Sequence, residues 1–324
     1  MATPETPTKK GLWAKLTGNQ RLYLLLIAVT SLPFIFQVAI PTKCNPQTVS
    51  LYQALMTIPE GSTVLIQSDW TNSTRGESQG QLEALLRILM RRNIKFVVYS
   101  VADPQAPLVA RNVIRSVNQE RKANGEREYE RWNDWVNLGY FPNAEGTGQA
   151  MAANIRVAFA GRTDLSPNGV QTDVFQSPVL KDIRSVGDAA MLINVHASGT
   201  QNVLIERLYG RIRLASMCTG VMGPEVLVYY ASGQLVGVSV GLRGVVEMET
   251  MMQNGVNVRG ADGRIAVDQP GRPETPGFEG KKNFGRGMQY FLSLHTALLL
   301  LIGAVVVGNI PVVKQNIANR RRRR

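Results

Sequence analysis

Five positions in this chain pair a reactive side chain with the end of a short apolar run: Asp69 beside Trp70, Asp103, Glu145 near Thr147, His196 near Ser198, and Cys218 before Thr219. In an open parallel sheet, ligands gather at the carboxyl ends of the strands. A cysteine or serine nucleophile, assisted by His196 and steered by one of the acids, is the chemistry these residue types would support, because those roles need hydrogen-bond reach rather than fixed spacing. Every strand also has to end in a polar loop, so the same residues are expected in a fold with no active site. Asp69, Asp103, Glu145, His196 and Cys218 are therefore a candidate pocket with no catalytic residue assigned.

Other chemistries find less in the sequence. His196 is the one histidine outside the C-terminal apolar segment, and Cys44 and Cys218 are far apart, so no zinc-binding pattern forms. Neither cysteine belongs to a CxxC pair; the two could bridge in an oxidising compartment or remain thiols. Residues 69–75 lack the glycine-rich phosphate turns that follow a strand in nucleotide-binding folds, and no cofactor is expected.

The elements that would hold these residues alternate. Residues 50–56 read as a short helix, and 62–68 as a buried strand. Leu82, Leu85, Leu86, Leu89 and Met90 recur at helical spacing, and 94–101 read as a second strand. A helix beginning near Pro107 leads into a charged stretch, residues 119–131, that reads as a solvated helix end and loop. Residues 135–140 are strand-like and 149–159 helical; 161–178 are rich in turns, with Pro167-Asn168-Gly169 the clearest break. Strands at 190–196 and 212–218 flank a helix at 202–209, and residues 222–252 read as a glycine-interrupted helical region. This alternation predicts an α/β fold: a doubly wound, mostly parallel, five-stranded, Rossmann-like sheet.

In the last of these regions Gly233, Gly237 and Gly241 recur every four residues, with Gly244 close behind. On one helix that spacing makes a smooth stripe for close packing against a partner. A turn followed by a shorter helix inside the domain is the other reading.

Apolar runs bracket this domain. Residues 22–40 carry no charge, and as a helix they reach about 28 Å, close to the hydrocarbon thickness of a bilayer. Pro33, preceded by Thr30 and Ser31, predicts a kink whose freed carbonyl needs those hydroxyls or a neighbouring helix. Residues 290–307 form a second run with one ionisable residue, His295, which either faces protein or stays neutral with a local partner beside Ser293 and Thr296. The expected organisation is a basic tail (1–21), a transmembrane helix (22–40), the α/β domain (45–253), a membrane-proximal loop rich in Gly and Pro (254–287), a second transmembrane helix (288–310) and a second basic tail (311–324).

The net charge of +12 fits this plan. Four cationic residues against Glu5 in 1–21, and Lys314 with five arginines at 320–324, place +9 of it in the tails and leave +3 between them. A nucleic-acid-binding domain spreads its charge over a folded face, so no nucleic-acid partner is expected. Charge at apolar flanks fits the positive-inside bias, with both tails cytoplasmic and the domain outside. Lys281, Lys282 and Arg286 oppose it from the other side.

The stretches Pro59-Glu-Gly-Ser-Thr-Val-Leu-Ile, Trp135-Val-Asn-Leu-Gly-Tyr, Ser232-Gly-Gln-Leu-Val-Gly with Gly241-Leu-Arg-Gly, and Ser293-Leu-His with Gly308-Asn-Ile together resemble an uncharacterised bacterial family of membrane-anchored α/β proteins with a transmembrane helix at each end. The resemblance covers most of residues 45–310. It implies the bacterial cytoplasmic (inner) membrane and supplies no catalytic residue. The expectation is a noncatalytic subunit or scaffold whose partners are membrane lipid and either further copies of itself or other membrane-protein subunits. A ligand-binding or enzymatic sensor domain is the alternative.

Overall fold

The computed structural model describes residues 17–36, 43–255, 257–258, 265–266, 278, 281 and 283–322. The chain divides into two units, Ile40–Met288 and a helical unit made of Met1–Ala39 with Gln289–Arg324.

The larger unit is the α/β domain. Its main sheet holds six parallel strands, β1 (Thr63–Asp69), β2 (Lys95–Ser100), β3 (Trp135–Tyr140), β6 (Met191–His196), β7 (Leu214–Cys218) and β8 (Val238–Val240). Their order is β3-β2-β1-β6-β7-β8. The chain builds outward from β1 in one direction, returns to its other side, and builds outward again. Two further strands, β4 (Thr163–Leu165) and β5 (Gln171–Asp173), form an antiparallel hairpin around the predicted Pro167-Asn168-Gly169 break.

Strands buried on both faces need apolar residues at both parities, and β1 is buried at every position. Val64 and Ile66 join one core cluster and Leu65 the opposite one. The first cluster lies under α2 (Pro46–Met56), α3 (Arg75–Arg91), α4 (Ala106–Ala123) and α9 (Gly241–Asn254). The second lies under α5 (Ala144–Ala153), α6 (Ile155–Ala158), α7 (Thr200–Leu208) and α8 (Gly223–Ala231). The doubly wound expectation holds; the strand count does not.

The sixth strand, β8, is where the glycine-stripe reading is corrected. Gly233, Gly237, Gly241 and Gly244 do not share a helix. Gly233 turns the chain after α8 with φ +77°, Gly237 precedes β8, Gly241 opens α9 with φ +58°, and Gly244 lies within α9. A β-carbon at Gly237 would stand 2.3 Å from the backbone of Leu51, so glycine here lets the chain pass directly against α2. Gly237→Ala is expected to cost about 3 kcal/mol by overpacking, lowering the thermal midpoint by roughly 6–12 °C. Gly76→Ala, in an exposed helical turn with open space around it, should stabilise by about 0.5–1 kcal/mol. Thermal unfolding of the two variants side by side checks both, and equal effects at the two positions would sink the packing account.

The charged stretch 119–131 is also corrected, because it is not simply solvated. Arg121 is buried, and its guanidinium bonds Glu126 Oε2 at 2.7 Å. The expected helix at 149–159 is two helices, α5 and α6, divided at Asn154, whose side chain caps the second. Most of the loop expected at 254–287 lies outside the described residues. Its described part includes the two-residue strands β9 (Asn257–Val258) and β10 (Ile265–Ala266), paired antiparallel, and a buried Phe278. Cys44 and Cys218 are buried thiols in different core clusters and are not bridged to each other.

The helical unit contains α1 (Gly18–Ile35) and the greater part of α10 (Arg286–Arg322). Among the described residues one helix, at Arg286–Ile317, is long and apolar enough to cross a membrane. The expected N-terminal span at 22–40 is corrected. The described α1 begins with the polar residues Gly18 to Arg21 and ends at Ile35, leaving 14 residues, about 21 Å at 1.5 Å each, where a bilayer needs about 30 Å. Residues 37–40 of that expected span lie outside the described residues. Around Pro33, Thr30 Oγ1 and Ser31 Oγ donate to Leu26 O and Ile27 O, and Ser293 Oγ donates to Thr30 O at 2.9 Å. His295 bonds its own helix at Phe291 O, 2.7 Å away. The region expected as a tail after residue 310 continues as helix to Arg322.

Candidate functional site

Strand order reverses between β1 and β6, and in doubly wound sheets the crevice at such a reversal is the usual ligand site. Register sets Asp69 opposite His196, and His196 opposite Cys218, so three of the five candidate residues form a row across the carboxyl edge. The other two stay apart. Asp103 Oδ1 accepts from Gln105 N at 2.7 Å at the start of α4, and Glu145 on α5 pairs with Arg207 on α7.

Each member of the row is held by structural bonds or by burial. Asp69, 2% exposed, accepts from Gln67 Nε2 at 2.6 Å, Ser100 Oγ at 2.8 Å and Val101 N at 2.9 Å, and so fixes the turn that leaves β2. His196 Nδ1 lies 2.6 Å from Ser198 O. A carbonyl only accepts, so Nδ1 carries the hydrogen, and Nε2 of the neutral ring accepts from Ser216 Oγ at 2.8 Å. Burial holds the His196 pKa below its usual value. Burial, reinforced by the charge of Glu77, pushes the Cys218 thiol up to about 12, so the nucleophilic thiolate is scarce at neutral pH.

The serine was missed in the sequence. Ser216 sits in the middle of β7, and the only signal was a hydroxyl inside an otherwise apolar buried strand. Its bond to His196 has the geometry of a nucleophile and its base, yet both residues are fully buried. The neighbouring crevice, lined by Gln67, Thr147 and Thr200 among others, is too narrow for a water-sized body. Nearby, Asn194 Nδ2 donates to Thr200 Oγ1 at 3.2 Å, while Asn194 Oδ1 and both amide atoms of the buried Gln201 have no hydrogen-bond partner. Asp69, His196 and Ser216 are thus engaged within the fold, with these three amide atoms left unpaired beside them. Among the described residues no group of three or more His, Cys, Asp or Glu could hold a metal ion.

A second polar centre lies under α3, where sequence reading placed none. Arg87, 4% exposed, makes two bonds to Glu120, at 3.0 and 2.9 Å, and stands 3.8 Å from Glu83 and 3.9 Å from Glu249. Glu249, on α9, is fully buried and accepts from Gly287 N at 3.2 Å and Met288 N at 3.1 Å, the first turn of α10. Burial outweighs the pull of Arg87 and those amides, and pushes the Glu249 carboxyl up to about 7. The segment entering α10 is tied down beside it. Asn283 accepts from Arg91 at 2.6 Å and donates to Gln253 at 3.0 Å. Lys281 stands 3.8 Å from Glu126, and Arg286 stands 3.4 Å from Glu83.

Comparison with known proteins gives no match: none to a family model, none to a curated protein and none to a solved structure.

Proposed function

We propose that this chain is a noncatalytic, membrane-tethered α/β module that serves as a subunit or scaffold of a complex in a bacterial cytoplasmic membrane. One observation carries the reading: the reactive residues of the carboxyl edge are closed into structural bonds, whereas a buried ion network holds the segment that enters the apolar helix α10. Such a domain is suited to holding position more than to turning over a substrate.

The flanking cations bear on orientation. Lys281, Lys282 and Arg286 oppose an outward domain; Lys281 and Arg286 have carboxylate partners in the fold, but the bias counts cations rather than net charge. Lys314 and the five arginines at 320–324 outnumber those three six to three, which favours this orientation. They assign the C-terminal tail to the cytoplasm and the α/β domain to the far side of the membrane.

Single cysteines at Val170 and at Arg322, in a background lacking Cys44 and Cys218, test this with a membrane-impermeant thiol reagent on intact cells. Labelling at 170 alone is the expected result; labelling at 322 alone inverts the orientation. Detergent-extracted protein should run as a defined oligomer or with a fixed partner, and a strictly monomeric, partnerless protein would overturn the scaffold role.

The bond between Ser216 and His196 favours a second reading, a ligand-binding or hydrolytic sensor whose edge opens. A fluorophosphonate probe that labels the protein, and fails to label Ser216→Ala, would replace the first reading with this one.

A further inference from the structure

On the face of the sheet that carries α4, a cleft of about 550 Å³ opens between that helix and the residues leading into β3. That volume is in the range of small-molecule sites. Its lining is lopsided in charge: Arg111, Arg115, Lys122 and Arg131 face a single acid, Glu128. Two of these cations are already matched. Lys122 pairs with Glu128 at 3.0 Å, and Arg131 pairs with Asp164. Arg111 and Arg115 make no ion pair among the described residues. They stand four residues apart on α4, where like charges repel, so the helix retains an unfavourable pair that no ion pair among the described residues relieves.

The second observation comes from the hydrogen bonds. Trp135 is 6% exposed, and its ring stacks on Phe96 with centroids 6.3 Å apart. Its indole Nε1 has no acceptor, and neither has Arg111 Nε or Arg131 Nε, all three being withdrawn from solvent. Each belongs to a residue lining the cleft. All three atoms are donors that cannot accept. A buried donor without a partner is unfavourable, and three of them in residues lining one cleft favour an occupant rich in acceptors that these side chains shift to meet. Beside them the buried Ile114 and Trp135 offer an apolar surface.

We infer that this cleft binds a dianionic oxyanion, of the phosphomonoester class, carried on a small organic body. Two negative charges match the two unpaired arginines, guanidinium forks suit phosphate oxygens, and the indole N–H supplies a neutral donor beside them. The phosphate has two possible sources, a soluble phosphorylated molecule or a phosphomonoester lipid headgroup. The inference stands apart from the scaffold reading: it rests on α4 and β3, not on α10 or the carboxyl edge.

The test uses the full chain in neutral detergent at pH 8, where inorganic phosphate is dianionic, titrated against sodium chloride of equal ionic strength, with thermal unfolding as readout. Saturable stabilisation by phosphate beyond that of chloride is expected. Arg111→Ala with Arg115→Ala, which removes only side chains with no ion pair, should weaken it about tenfold or more, since bonds to charged groups are the strong ones. Trp135→Phe keeps an aromatic ring, removes the donor, and should weaken binding roughly fivefold. Flotation with vesicles of phosphatidylcholine, with and without phosphatidic acid, separates the sources. Phosphatidic-acid-dependent flotation lost in the double arginine variant assigns the headgroup; saturable phosphate binding without such flotation assigns the soluble ligand. A response that chloride reproduces, with flotation indifferent to phosphatidic acid, overturns the inference, and so does binding that both sets of substitutions leave unchanged.

Discussion

Arg87→Ala is expected to destabilise the α/β domain by about 3–5 kcal/mol, the cost of removing one partner from a buried ion pair, and to lower the thermal midpoint by roughly 6–20 °C. Glu83, Glu120 and Glu249 all lie within 4 Å of the guanidinium, and the side chains of Glu83 and Glu249 are 5% and 0% exposed. Without Arg87 these carboxylates have to be protonated in place or repel one another. The deficit relative to wild type should therefore shrink as the pH falls towards 5, where protonation relieves them. Arg87→Lys keeps the charge but loses the fork that engages Glu120 through two bonds, and should fall between the two. Thermal unfolding of the full chain from pH 5 to 8 measures all three. A loss in Arg87→Ala that is small, or that does not vary with pH, would contradict the network.

Glu249→Gln tests the other end of the same cluster, and its sign is opposite. The folded carboxyl titrates at about 7 because burial disfavours its charge, whereas an unfolded glutamate ionises near 4.3. A raised carboxyl favours the folded state at low pH, where it is neutral in both states. That advantage declines as the pH rises from about 4.5 and is gone above about 7, with a total of about 3 kcal/mol. Glutamine stays neutral and its amide oxygen can still accept from Gly287 N or Met288 N. The stability of Glu249→Gln relative to wild type should therefore rise by about 3 kcal/mol between pH 4.5 and pH 8. A flat difference curve would show that Glu249 is ionised throughout.

Much of the fold was legible because its signals are local. Leu82, Leu85, Leu86 and Leu89 announce α3 at helical spacing, and all four are buried in the core. The apolar runs at β1, β2, β3, β6 and β7 lie within or close to the expected limits. Their alternation with helices is what demands parallel pairing, since each crossover needs a helix to return the chain. The strand that escaped notice, β8, has three residues among glycines that mimic helical spacing. Three residues are too few to display a period of two, and only the register with β7 marks them as a strand.

The candidate site was legible in part, for a reason particular to each residue. Asp69, His196 and Cys218 end adjacent strands, so a sheet in this order aligns them. Ser216 was invisible because its partner, His196, is on another strand. The charged stretch 119–131 misled for the same reason. Glu120 and Glu126 look like solvent-facing charges until Arg87 and Arg91, more than thirty residues earlier, are folded against them.

The sequence by itself determined the features that periodicity and composition set: an α/β domain of parallel strands, an apolar C-terminal helix long enough to cross a membrane, and charge gathered at the chain's ends. These depend on neighbours within a turn or a strand, where the chain's own geometry fixes which residues share a face. Tertiary structure alone decided which charges are buried with partners, that His196 holds Ser216 within the fold, and that Arg111, Arg131 and Trp135, which line one cleft, leave donors unmatched. Desolvation and hydrogen bonding act through space between residues that the chain keeps far apart, so no local pattern carries them.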